Sequence, residues 1–184
     1  NIRRMQFLKE DSALVVIDMQ ERLVPHMKNQ EQLIENTAKL IKGAHILGVP
    51  VVFSQQYTKG LGRTIKDISD LQPQFSYIEK TTFSCMKTEE FKNELGRLGR
   101  KNIILCGIEA HVCVLQTAMD MVENLYHTVV VKDCVSSRKE LDMETGITRM
   151  AQEGIFATTY ESILMEMLSN ASNEHFKAIS ALIR

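Results

Sequence analysis

The chain has 184 residues, 22 of them Lys or Arg and 23 Asp or Glu, for a formal net charge of −1. One domain over residues 1–184 is expected at this length, and 44% hydrophobic residues supply a sizeable core, which excludes wholesale disorder. Near-zero charge without a basic run offers no footprint for nucleic acid or anionic membrane, and no apolar run approaches the roughly 20 residues that cross a bilayer.

Asn1 to Glu10 alternate charged with apolar residues and carry no signal-peptide core. Ala13 to Asp18 is a continuous apolar run ending in a carboxylate, the mark of a strand buried on both faces. From Glu31 to Leu47 the apolar residues recur at helical spacing until Gly48 stops them, and Pro50 opens a second strand at Val51-Val52-Phe53. A loop from Gln55 to about Gln74 follows, long enough to suggest function. Tyr77-Ile78-Glu79 reads as extended, Glu89 to Leu98 as a short helix, and Asn102 to Gly107 as a buried strand. Val112 to Leu125 is helical, Thr128 to Val131 a strand, Asp142 to Glu153 helical, and Ile155 to Ala157 a short strand. Helices over Glu161–Leu168 and Glu174–Ile183 close the chain. Strands alternating with helices mean an α/β domain with a mostly parallel, right-handed wound sheet. Four cysteines without a CxxC pair suggest neither a disulfide framework nor a zinc site. A reducing compartment, most simply the cytoplasm, is expected.

In such sheets ligands bind beyond the carboxyl ends of the strands. Asp18 ends the first strand, Lys80 follows the extended piece, and Cys113 lies six residues after Gly107. If these strands are neighbours, a carboxylate, an ammonium and a thiol converge, a set sufficient for nucleophilic attack on a carbonyl. Cys113 also opens a predicted helix, whose positive end lowers a thiol's pKa. Each residue has a plainer reading too: a turn Asp, a solvated edge Lys, a small buried Cys.

Val16-Ile17-Asp18-Met19-Gln20, Glu79-Lys80-Thr81-Thr82-Phe83-Ser84 and Cys106-Gly107-Ile108-Glu109-Ala110-His111-Val112-Cys113 resemble, in order and spacing, the three signature regions of the isochorismatase-like cysteine hydrolases. The Gln56 to Gly62 stretch is similar to the isochorismatase-domain-containing subgroup, and Asp133 to Arg138 resembles the family's strand-to-loop segment. The resemblance implies a three-layer α/β/α fold with a mostly parallel sheet of roughly six strands, ordered 3-2-1-4-5-6. It implies Cys113 as nucleophile, Asp18 as general base and Lys80 as the cation beside the thiolate. It further implies a cis peptide at Ile108–Glu109, which points the backbone N–H of Glu109, with that of Cys113, at the oxyanion.

Several members carry an Asp-x-His metal site after the second strand. Here Ser54-Gln55-Gln56-Tyr57 stands there, and His26, His45, His111, His127 and His175 are scattered, so no catalytic metal and no cofactor are expected. True isochorismatases generally lack the nucleophilic cysteine, so Cys113 argues for C–N cleavage of an amide, ureide or carbamoyl group through a thioester. The alternative is a catalytically weak member acting as a binding module. A thiol redox role is disfavoured because no CxxC partner accompanies Cys113.

Gln20, Tyr57, Phe83 and His111 are the expected pocket residues, Gln20 because it follows Asp18 by two along an extended chain. Lys59 and Arg63 in the long loop are candidates for recognising an acidic substrate, while Cys85, Cys106 and Cys134 are read as inert. The expected partners are a small-molecule substrate and other copies of the chain in a homo-oligomer, with the C-terminal helix from Glu174 a plausible contact.

Overall fold

The computed structural model describes residues 5–184. The reading of the first ten residues therefore falls partly on residues 1–4, outside the described range. Six strands form one sheet: β1 (Ser12–Ile17), β2 (Val51–Gln56), β3 (Ile78–Lys80), β4 (Asn102–Ile108), β5 (His127–Ser136) and β6 (Phe156–Thr158). All pairings are parallel, in the order β3-β2-β1-β4-β5-β6. The chain thus winds outward from β1 in one direction, then returns to start again at β4.

The central strands β1 and β4 are buried along their whole length, because both sheet faces are covered by helices. Alternate residues serve opposite cores. Leu14, Val16, Ile104 and Cys106 pack with helices α1 (Gln30–Ile46), α7 (Tyr160–Leu168) and α8 (Phe176–Ile183) through Leu40, Ile41, Leu164 and Ile179. Ala13, Val15, Ile103 and Leu105 pack against α4 (Glu89–Leu98), α5 (Leu115–Glu123) and α6 (Glu140–Gln152) through Phe91, Leu95, Met121 and Met150. The long loop holds two single-turn helices, α2 (Thr58–Leu61) and α3 (Lys66–Ser69). Among the described residues no helix is long and apolar enough to cross a membrane.

The largest differences from expectation fall in three elements. β5 runs five residues past Val131, because its pairing with β4 shifts register between Leu105 and Gly107 and resumes at Val135. The helix expected from Val112 starts instead as a π turn, Ala110–Val114, before α5 begins. β2 extends to Gln56, which takes the start of the expected loop into the sheet. Gly107 has φ 115° and lies against β1, where an added Cβ would strike the backbone N and O of Ile17. Only glycine fits that seam.

Candidate active site

The crevice where the winding reverses lies beyond the carboxyl ends of β1 and β4. Asp18 follows β1 directly, with φ 51°, a left-handed turn that Asp tolerates better than most residues. Lys80 is the last residue of β3, and Cys113 sits inside the π turn after β4. Lys80 Nζ lies 2.9 Å from Asp18 Oδ2 and 3.5 Å from Cys113 Sγ, although 62 and 33 residues of chain separate them. The ammonium also donates to Gln56 Oε1 at 2.7 Å, Thr82 O at 3.1 Å and Phe83 O at 3.0 Å. Ser54 Oγ donates to Asp18 Oδ1 at 2.8 Å, so each carboxylate oxygen has its own partner. The Asp18 carboxylate also acts on the Cys113 thiol and favours its protonated form.

Electrostatics depart from the expected lowered thiol. Burial pushes the Cys113 thiol up to about 12, and the Asp18 charge adds to this, against the opposing pull of Lys80. The reason is charge balance. Asp18 and Lys80 already neutralise one another, so a thiolate would be an extra buried anion. Cys113 also lies within the π turn, not at the opening of a free helix end, which weakens the dipole argument. For Lys80, burial alone would favour the neutral amine, but Asp18, Cys85 and Cys113 outweigh it and raise the pKa. The resting site is a neutral thiol beside an ion pair.

The π turn brings its own bracing. The Ile108–Glu109 peptide is cis, and Glu109 O accepts the N–H groups of Val112 and Val114 at 3.1 and 3.2 Å. The Glu109 carboxylate, outside the turn, binds Arg138 through its N–H at 3.1 Å and Nε at 3.0 Å.

The expected pocket residues divide. Gln20 is not a pocket wall: it is fully buried, donating to Gln56 O and Gly62 O at 2.8 Å each and accepting from Gln56 N at 2.7 Å. The left-handed turn at Asp18 breaks the extended alternation on which its placement rested. His111 engages Ser137 Oγ through Nδ1 at 2.8 Å and faces Asp142 Oδ2 through Nε2 at 3.7 Å, so its ring ties the π turn to the residue after β5 and to α6. Tyr57 and Phe83 are not core aromatics; they are 51% and 54% exposed. Both stand on backbone that touches the lysine, since Tyr57 N donates to Lys80 O at 2.9 Å and Phe83 O accepts from its ammonium. Lys59 and Arg63 are exposed on the loop. Cys113 itself is 8% exposed.

Sequence reasoning missed Ser54, Gln56 and Cys85. The available signal was polar residues two apart at the end of an apolar strand, which face one side of the sheet. Cys85, read as inert, feels both Asp18 and Lys80; burial foremost raises its pKa to about 11. It is fully buried, with its N–H on Thr117 Oγ1 at 2.9 Å, and so has no access to a substrate. Where metal-binding members carry Asp-x-His, Ser54 and Gln56 hold Asp18 and Lys80, and Gln55 holds Thr58 and Thr64. Among the described residues no three His, Cys, Asp or Glu side chains are grouped to hold a metal ion. A cavity of about 660 Å³ between the start of β2 and α4 contains none of these groups, so chemistry rather than volume marks the site.

A thiol, a carboxylate and an ammonium meet at the switch point of a doubly wound parallel sheet, an arrangement able to support nucleophilic chemistry. The isochorismatase domain model matches residues 12–162, and the chain belongs to the isochorismatase family. Isochorismatase domain-containing protein 1 of Danio rerio is 37% identical over 174 residues, 94% of this chain and 61% of that protein, so the chain spans about three fifths of that relative's length. The structure of MAR1 ribonuclease from Caenorhabditis elegans superposes with a TM-score of 0.91 at 35% identity, covering 97% of this chain and 92% of that one. The YcaC gene product of Escherichia coli, an octameric hydrolase of unknown specificity, gives 0.93 at 20% identity over 100% of this chain and 91% of its own, a likeness of fold alone.

Proposed function

We propose that the protein is a metal-independent cysteine hydrolase that cleaves a C–N bond in a small amide, ureide or carbamoyl compound. One observation carries the reading: Lys80 Nζ lies within reach of both Asp18 Oδ2 and Cys113 Sγ. As Sγ attacks the carbonyl carbon, the thiol proton passes to Asp18, so the buried negative charge moves from carboxylate to oxyanion without a free thiolate. Backbone N–H groups of Glu109 and Cys113 receive that oxyanion, and the collapse of the tetrahedral adduct expels the amine, which takes the proton from Asp18. Water, deprotonated by the same carboxylate, then cleaves the thioester and restores the thiol. Lys80 stays charged throughout and steadies each anion in turn. Tyr57 and Phe83, exposed aromatics whose backbone bonds to Lys80, suit a flat or apolar group beside the scissile carbonyl. A homo-oligomer in which a neighbouring copy covers these two rings fits their exposure, and a free thiol at the site suits a reducing compartment such as the cytoplasm.

The test is a panel of small amides, ureides and carbamoyl acids, with release of amine or ammonia and the mass of the protein followed together. Wild type is expected to release product and to show a transient acyl adduct on the Cys113 peptide; Cys113→Ser shows neither. RNA belongs in the same panel because the Caenorhabditis elegans neighbour is named a ribonuclease. Cleavage of RNA that is lost in Cys113→Ser, with no amide turned over, overturns the C–N reading.

A further inference from the structure

Gln56 ends β2, the strand lying between the one that leads to Asp18 and the one that carries Lys80. Its Oε1 makes the shortest of the five contacts to the Lys80 ammonium, 2.7 Å, while Cys113 Sγ makes the longest, 3.5 Å. An ammonium has three hydrogens, so four oxygens and a sulfur compete for them. Two of those oxygens belong to the backbone and one to the Asp18 base. Gln56 supplies the single neutral side-chain oxygen in the competition. Its amide is also fixed in sense: Nε2 donates to Thr81 O at 3.0 Å, and a flipped amide would set N–H against ammonium. Gln20 fixes its backbone: Gln20 Oε1 accepts from the Gln56 N–H at 2.7 Å and Gln20 Nε2 donates to the Gln56 carbonyl at 2.8 Å.

We propose that Gln56, clamped by Gln20, is a positioning residue that draws the hydrogens of Lys80 away from sulfur. It thereby keeps Cys113 protonated until a carbonyl is in place for attack assisted by Asp18. This rests on the reading of Cys113 as nucleophile, yet it concerns the resting thiol and needs no knowledge of the substrate. Removing the oxygen frees an ammonium hydrogen for sulfur and favours the thiolate. Replacing the amide with a carboxylate adds an anion and disfavours it.

The experiment is the rate of Cys113 alkylation by iodoacetamide at pH 8.5, read by mass spectrometry of the Cys113 peptide. Wild type, Gln56→Met and Gln56→Glu are compared, each with unchanged thermal unfolding as the fold control. A hydrogen bond to a charged group corresponds to about one pKa unit, so Gln56→Met is expected to label roughly tenfold faster and Gln56→Glu roughly tenfold slower. Opposite signs support the proposal. Changes of the same sign, or none, mean that Gln56 only packs, and overturn it while leaving the hydrolase reading intact. If Gln56→Met does not fold, Gln56→Asn, which withdraws the amide by one methylene, takes its place with the same expected acceleration. Labelling of wild-type Cys113 as fast as that of a free thiol at the same pH shows that the sulfur is not held protonated and overturns the proposal; no labelling in any variant, Gln56→Met included, means that Gln56 does not govern the thiol and overturns it too, while the hydrolase reading answers to the substrate panel.

Discussion

Lys80→Met removes the charge at the centre of the site while keeping an unbranched side chain only one atom shorter. Neither Lys80 nor Asp18 exposes more than 1% of its side chain, and their contact is 2.9 Å. At an effective dielectric of about 20 that contact corresponds to roughly 6 kcal/mol of attraction, much of which offsets the desolvation of two ions. Breaking the pair leaves the desolvation of Asp18 in place without its partner, so the variant is expected to lose about 3–5 kcal/mol at pH 7. Ser54 remains on Oδ1 and softens the loss without supplying a charge. The measure is urea unfolding of the wild type, Lys80→Met, Asp18→Asn and the double variant. The double variant is expected to recover more than half of the Lys80→Met deficit, because it removes the stranded anion. Acid should narrow the deficit as well: an unpaired buried carboxylate takes up a proton on folding, the native state then binds more protons than the unfolded one, and stability rises as pH falls. A loss below about 1 kcal/mol at pH 7, unchanged at pH 5, refutes the account of a desolvated pair.

Two further outcomes stem from burial and close packing. Cys113 and Cys85 have pKa values raised to about 12 and 11, chiefly by burial, and burial also raises Cys106 and Cys134. The folded state therefore holds thiol protons that the unfolded chain releases above about pH 8.5, and stability is expected to fall as pH rises past that point. Each thiol contributes up to about 1.4 kcal/mol per pH unit, so Cys113→Ser should flatten the slope by that amount between pH 9 and 10.5; an unchanged slope in guanidinium melts counts against the buried neutral thiol. Gly107→Ala places a methyl group in the backbone of Ile17 at φ 115°, and should cost at least about 4 kcal/mol or prevent folding. A fully folded variant of wild-type melting temperature would show that the β1–β4 seam has room that its geometry denies.

The sheet was legible where burial leaves a one-dimensional mark. β1 and β4 are covered on both faces, so their apolar runs are continuous and their ends stand out as Asp18 and Gly107. The wider outline of alternating strands and helices comes from the same contrast. β5 was cut short because a register shift inserts Lys132 and Asp133 into a strand whose last three residues are buried again, a change no period of two reports. The turn that carries Cys113 read as ordinary helix because a π turn has no composition of its own. Gln20 was aimed wrongly for a similar reason: the positive φ at Asp18 rotates the next residues out of the strand's alternation, and Asp occurs equally in extended chain. Ser54 and Gln56 carried only their spacing, and that they face an ion pair depends on β2 lying between β1 and β3.

The order of residue types along the chain determined which segments could be buried and which side chains able to do chemistry would stand at strand ends, because hydrophobic periodicity and turn chemistry act over a few neighbouring residues. The state of that chemistry was decided in three dimensions. A thiol's proton answers to every charge within several ångströms and to the water excluded around it, and the parallel winding of the sheet brings residues 18, 80 and 113 into one dry space. There the ion pair already balances, and the sulfur keeps its proton.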